Sequence, residues 1–312
     1  MPTITREQVR VPIDVPADMR DTYVESYMAA TQGSGRLMLF ACDQKVEHLN
    51  NDFYGDGISA DDAEPEHLFR IGDQGVTGVL AGQRGLVAHY AADYPDINYL
   101  VKMNSKTPLV KTSQEDPYSP QLYDIQTVLD LRDNGVNIVG IGYTIYIGSE
   151  YESQMMMEAS QLIADAHSLG MIVVLWMYPR GKAVAAEKDA HLIAGVAGVA
   201  VSLGADFVKV NPPAGTDDAT SAELLKEASA AAGRCGLVCA GGSTVDAQTF
   251  LTQLHEQIHV GGAVGNATGR NIHQRDLGEA VRLTKAISAI TMGDYDADRA
   301  LKVFNGEEDF AL

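Results

Sequence analysis

In GADFVKVNPP, Lys209 lies inside a short apolar run, flanked by Val208 and Val210 and followed at once by Asn211 and two prolines. Strand alternation puts Phe207 and Lys209 on one face and the two valines on the other. On the inner face of a closed sheet, burial would penalise the ammonium form. It would draw the pKa from about 10.4 toward ~7–8, where a neutral amine attacks a carbonyl and forms a Schiff base. The alternative is a strand-end lysine whose head reaches solvent or pairs with an acid. Lys102, at the end of INYLVKMN, is a rival amine or a charged neighbour that helps depress Lys209.

Other groups could serve such an amine. In LWMYPRGK, Trp176 and Tyr178 share a face. The phenol could carry protons beside a dry indole wall, or both rings could simply fill the core. Arg180 follows, to grip a phosphate or to salt-bridge a neighbouring loop, and the phosphate is the preferred reading. FACDQKVEHLNNDFYG passes from an apolar run to Asp43, which shares the parity of Leu39 and Ala41 and suits acid/base work or the orienting of a lysine. Glu47, His48 and Asp52 come next, but no ligand set is complete, so no metal is expected. CAGGST and GGAVGNATGRN are glycine-rich turns leading into helices, where free backbone N–H groups bind anions. Gly241, Gly242, Ser243, Gly269 and Arg270 are the candidate phosphate ligands.

Elements must bring these groups together. Eight apolar runs recur, at 36–42, 75–81, 97–103, 137–143, 171–178, 206–210, 236–240 and 259–265. Amphipathic stretches such as YDIQTVLDLRDNG and SAELLKEASAAAG separate them. Alternating β and α elements imply a parallel sheet, and eight units match a (β/α)8 TIM barrel. No linker interrupts the pattern, so 1–312 is read as a single domain: an N-terminal helical extension (1–35), the barrel (36–293), and a short C-terminal helix and tail (294–312). In such barrels the loops after the strands build the active face. The long segments 43–66 and 104–121 are therefore expected to line or cover it.

Composition narrows the function classes. Lys and Arg number 23 against 42 Asp and Glu, a net charge of −19 that repels nucleic acid and anionic lipid. The first residues lack a secretory pattern, and the longest uncharged stretch, 190–205, is too short to span a bilayer. Three cysteines (Cys42, Cys235, Cys239) form neither a disulfide framework nor a metal pattern, which fits a reducing cytoplasm.

Read in order, these motifs resemble the archaeal-type class I fructose-1,6-bisphosphate aldolase family over about residues 36–304. The shared pieces are Asp43, Glu47-His48, Asp52-Phe53, Trp176-x-Tyr178-Pro179-Arg180-Gly181, Lys209, Gly241-Gly242 and Gly269-Arg270-Asn271. The resemblance implies a Schiff-base lysine at Lys209, a proton-transferring Tyr178 and a catalytic carboxylate at Asp43. It also implies substrate contacts from Gln44, His48, Asp52, Trp176 and Arg180, and phosphate contacts from the two glycine-rich turns. A phosphorylated sugar as partner, no cofactor, a homo-oligomer and a place in glycolysis and gluconeogenesis go with it. Asp43-Gln44-Lys45 stands where the family often has Asp-His-Gly, and Ser243-Thr244 where Pro-Lys is common. Relatives on the same scaffold include aminodideoxyheptulosonate synthases and a thiolase acting on a phosphorylated pentanedione.

Overall fold

In the computed structural model, which describes residues 2–48, 50–110 and 113–312, eight parallel strands close on themselves in chain order. They are β1 (Leu37–Ala41), β2 (Val79–Gln83), β3 (Tyr99–Lys102), β4 (Ile138–Ile147), β5 (Ile172–Pro179), β6 (Phe207–Val210), β7 (Gly236–Ala240) and β8 (Gly265–Thr268). The register from Leu37↔Gly265 to Phe40↔Thr268 closes the ring. This is the (β/α)8 barrel that the alternation of elements predicts.

Helix α1 (Arg20–Thr31) precedes the barrel, and α2 (Gln44–Glu47) and α3 (Glu66–Gln74) follow β1. Then α4 (Arg84–Tyr90), α5 (Ile125–Asp133), α6 (Glu152–Ser168), α7 (Ala190–Leu203), α8 (Ser221–Ala232) and α9 (Ala247–His259) follow β2 to β7 in turn. After β8 come α10 (Arg270–His273), α11 (Leu277–Thr291) and α12 (Ala297–Asn305). Local chemistry sets several starts: at α8, Thr220 and Glu223 form a reciprocal capping box, and the side chains of Asp189 and Asp246 cap α7 and α9.

Strand parity sorts the core into two layers. Leu39, Ala81, Leu100, Val174, Trp176, Phe207 and Val238 meet inside the barrel. Phe40, Leu80, Val101, Leu175, Val208 and Cys239 face outward and pack under the helices. Each large apolar side chain so buried contributes about 1.5–3 kcal/mol. The extension closes the lower end of the barrel: Tyr27 stacks on Phe207 at 5.6 Å, and Ser26 Oγ donates to the Gly170 carbonyl at 2.8 Å.

Three strands differ from expectation, and of these the fourth runs on to Ile147 rather than ending at 143. The eighth is Gly265–Thr268, not 259–265, because α9 runs through His259 and a Gly261-Gly262 turn follows. Its outer face is polar: Asn266 Nδ2 donates to Thr291 Oγ1 at 2.9 Å, and Thr268 Oγ1 to Asn266 Oδ1 at 3.0 Å. Satisfied hydrogen bonds let polar residues stand where an apolar run is expected. The second strand starts at Val79 rather than 75 and ends on buried Gln83, whose Nε2 donates to the Asp43 carbonyl at 3.2 Å.

Candidate active site

The C-terminal ends of the strands surround a cavity of about 290 Å³. Lys209 reaches it from β6, only 4% exposed, with Nζ 5.3 Å from the centre of the Trp176 ring. Burial is the main cause that lowers its pKa to about 8; nearby Lys102 adds to the shift and Asp43 opposes it.

Lys102 sits 4.7 Å from the same indole, fully buried on β3. Its Nζ donates to Asp43 Oδ2 at 3.1 Å and Glu47 Oε1 at 2.9 Å. Burial alone would lower its pKa, but Glu47 and Asp43 outweigh burial, and the pKa is raised. The two amines therefore diverge: Lys102 is held charged and Lys209 is poised to be neutral. Gly142 makes room for the shared ring, since a Cβ there would lie 2.4 Å from the indole.

Asp43 ends the β1 run and begins α2, so Glu47 lies one turn on, and both reach the same ammonium. Burial pushes the Asp43 pKa up, but the Lys102 and Lys209 cations outweigh that and hold it below the ordinary carboxylate value. Its Oδ1 is buried without a hydrogen-bond partner, as are Gln44 Oε1 and Trp176 Nε1. Tyr178 also lines the cavity, and burial, followed by the negative charge of Asp43 and Glu47, pushes its phenol well above the usual tyrosine range. At neutral pH it is a proton donor.

The glycine-rich turns form the opposite wall. Asn271 ties them together: its Nδ2 donates to the carbonyls of Gly241 (2.9 Å) and Ser243 (3.1 Å), and its Oδ1 accepts from Val245 N at 3.0 Å. Gly242 adopts φ 69°, a left-handed conformation that favours glycine. The N–H groups of Gly242 and Ser243 have no acceptor among the described residues.

The DeoC/LacD family aldolase model matches residues 37–275. The chain belongs to this aldolase family. It is 52% identical over 305 residues, 97% of each chain, to the fructose-bisphosphate aldolase/6-deoxy-5-ketofructose 1-phosphate synthase of Methanocaldococcus jannaschii. The solved fructose-bisphosphate aldolase of Slackia heliotrinireducens superposes with a TM-score of 0.98 at 74% identity, covering 100% of this chain and 98% of that one. A Schiff-base-forming fructose-1,6-bisphosphate aldolase superposes with a TM-score of 0.73 at 25% identity, covering 86% of this chain and 99% of that one.

Of the residues singled out in the sequence, this aldolase brings Lys209, Tyr178, Asp43, Gln44, His48, Trp176, Arg180, Gly241, Gly242, Gly269 and Arg270 to the cavity wall. Three others stand off it. Lys102 lies one layer below, consumed by its two carboxylates. Asp52 pairs with the His48 ring and lies 3.8 Å from Arg270, so it holds two wall residues from behind. Ser243 turns toward a neighbouring hollow between the barrel and α9. Arg180 pairs with Glu187 at 3.3 Å while remaining on the wall.

Four polar wall residues escaped the sequence reading as site residues: Glu47, Lys106, Tyr146 and Asn211. Tyr146 shares the inward parity of Gly142 and would have been found by extending the fourth strand to Ile147. Glu47 was signalled by its spacing from Asp43. Lys106 lies in an irregular loop where no local periodicity points to it. Among the described residues no group of three or more His, Cys, Asp or Glu side chains is set to hold a metal, and no helix is long and apolar enough to cross a membrane.

Proposed function

We propose that this chain cleaves fructose 1,6-bisphosphate, reversibly, to dihydroxyacetone phosphate and an aldehyde phosphate, with Lys209 as the Schiff-base nucleophile. Neutral Lys209 adds to the C2 carbonyl, and loss of water leaves a protonated imine. Asp43 Oδ1, or a water it orients, takes the C4 hydroxyl proton; the C3–C4 bonding pair moves into the imine, and the aldehyde departs. Tyr178 protonates C3 of the resulting enamine, and hydrolysis frees Lys209 and the ketone product. The turns at Gly241-Gly242 and Gly269-Arg270 hold the C1 phosphate, fixing the carbonyl against the amine.

The observation that carries this reading is the pair of lysines bracketing Trp176, of which only the one with the lowered pKa opens on the cavity. Borohydride with dihydroxyacetone phosphate should trap a covalent adduct that peptide mapping places on Lys209. An adduct on Lys102, or none, overturns it. Cleavage should persist in a chelator, since no step needs a metal. We also infer that residues 1–312 work as one catalytic domain within a homo-oligomer, which sedimentation would test.

A second reading is favoured by the double name of the Methanocaldococcus relative. The enamine on Lys209 would then pass to a three-carbon ketoaldehyde instead of a proton, giving 6-deoxy-5-ketofructose 1-phosphate. Supplying that acceptor during cleavage and analysing the products distinguishes the two fates.

A further inference from the structure

The segments that follow the first and the last strand meet behind Arg270. From the β1 side comes the Asn50–Asp52 turn, whose carboxylate lies 3.8 Å from the Arg270 guanidinium and also pairs with the His48 ring. Burial alone would raise the Asp52 pKa, but the His48 hydrogen bond and the Arg270 charge outweigh it and hold it below the ordinary carboxylate value. From the β8 side comes α10, which begins with Arg270 and ends with His273.

Beneath this contact lies a polar pair that the mechanism does not use. His273 Nδ1 is 2.7 Å from Asp62 Oδ2, and neither side chain is exposed. A carboxylate only accepts, so Nδ1 carries the hydrogen. Phe53, the neighbour of Asp52, stacks on the imidazole with centres 4.7 Å and planes 5° apart. Further bonds join the same two segments: Gln274 Nε2 donates to the Asp52 carbonyl at 2.9 Å, and His67 Nε2 donates to the carbonyls of His273 (3.0 Å) and Arg275 (3.1 Å). Asp62 Oδ1 and His273 Nε2 are buried with no partner among the described residues. A pair with atoms left over is a poor source of stability, because apolar side chains would fill the same space at less cost. What the pair does supply is a fixed orientation for the ring on which Phe53 rests.

Resting on the aldolase reading above, we propose that Asp62 and His273 are positioning residues for the C1 phosphate of the substrate. Their hydrogen bond fixes the imidazole, the imidazole seats Phe53, and Phe53 sets its neighbour Asp52, which holds Arg270 at the anion end of the cavity. Neither residue lines the cavity, so both act through Arg270.

The test compares three variants. H273F keeps a ring against Phe53 but loses the hydrogen bond, H273N offers Nδ2 in place of Nδ1 as donor, and D62A removes the acceptor. In the condensation direction, KM for dihydroxyacetone phosphate should rise about tenfold in H273F and D62A, the effect of weakening one charge-assisted hydrogen bond, while kcat and KM for the aldehyde phosphate stay within about threefold of the wild type. H273N should resemble the wild type. KM is independent of the fraction of folded protein, so a poorly folding variant still gives an answer. The positioning role is overturned if KM for the ketone is unchanged in H273F or D62A, if both KM values rise together, if kcat falls instead, or if H273N behaves like H273F. Calorimetry with inorganic phosphate separates this role from the aldolase reading, since its Kd should weaken about tenfold in H273F and D62A whether or not the protein catalyses condensation. A wild type that binds phosphate and catalyses no condensation defeats the aldolase reading and leaves the positioning role to be decided by those Kd values.

Discussion

Two buried charge clusters occupy opposite ends of this barrel, and they are built differently. At the lower end, the Asp206 carboxylate accepts from the Tyr23 hydroxyl, from His167 Nε2 at 3.2 Å and from Val173 N at 2.7 Å, while His167 Nδ1 meets Asp14 at 2.8 Å. None of these side chains has a buried polar atom without a partner. At the upper end, Lys102, Asp43 and Glu47 form a comparable cluster, yet Asp43 Oδ1, Gln44 Oε1 and Trp176 Nε1 are left over. Saturated hydrogen bonding locks the extension, α6 and the start of β6 together. Incomplete hydrogen bonding around a rigid ion pair leaves places for a substrate to fill. In the proposed mechanism the upper cluster serves chemistry, while the lower one serves stability.

Replacing the proposed nucleophile beside the upper cluster gives the largest effect. Lys209→Met should lower kcat/KM by about 10⁴-fold or more and abolish borohydride trapping, with the melting temperature nearly unchanged. Loss of trapping together with gross unfolding would show instead that Lys209 is structural. Next comes Asp43→Asn, which should cost roughly 10²–10⁴-fold in kcat. It should also move the limb of the pH profile governed by Lys209 below about 8, because Asp43 is a charge that raises that pKa. A limb that moves upward would contradict this electrostatic account.

Lys102→Met tests the shared member of the pair. It strands two buried carboxylates, so denaturant unfolding should show a loss of about 3–5 kcal/mol. In whatever folds, the Lys209 limb should move above about 8, since a neighbouring cation that lowered it is gone. The lower cluster predicts a smaller effect. Burial alone would lower the His167 pKa, but Asp206 and Asp14 outweigh it and hold the pKa at about 9. Folding raises this pKa from about 6.5, so the stabilisation is fully present below about pH 6.5 and is lost as pH rises through about 9, at most roughly 3 kcal/mol. Thermal unfolding between pH 6 and 10 should show the decline in the wild type and a flatter curve in His167→Gln.

Much of the fold was legible because strand parity and helix periodicity are local properties. Seven of the apolar runs cover more than half of an observed strand, the eighth meets its strand only at Gly265, and the inward face of β6 followed from alternation alone. The eighth run was misplaced because β8 carries asparagine and threonine on its outer face, satisfied by each other and by α11. In the site, residues at strand ends were found, whereas Lys106 was not, because an irregular loop has no period to read.

The sequence by itself determined the barrel, the parity of Lys209 and the presence of a tyrosine, a carboxylate and two glycine-rich turns at strand ends. Only the tertiary structure decided which amine has the lowered pKa. That choice depends on Lys102 meeting Asp43 and Glu47, residues 59 and 55 positions away, and on both lysines sharing one indole. Charge and burial act through space, so the pKa of a side chain belongs to the folded neighbourhood and not to its place in the chain.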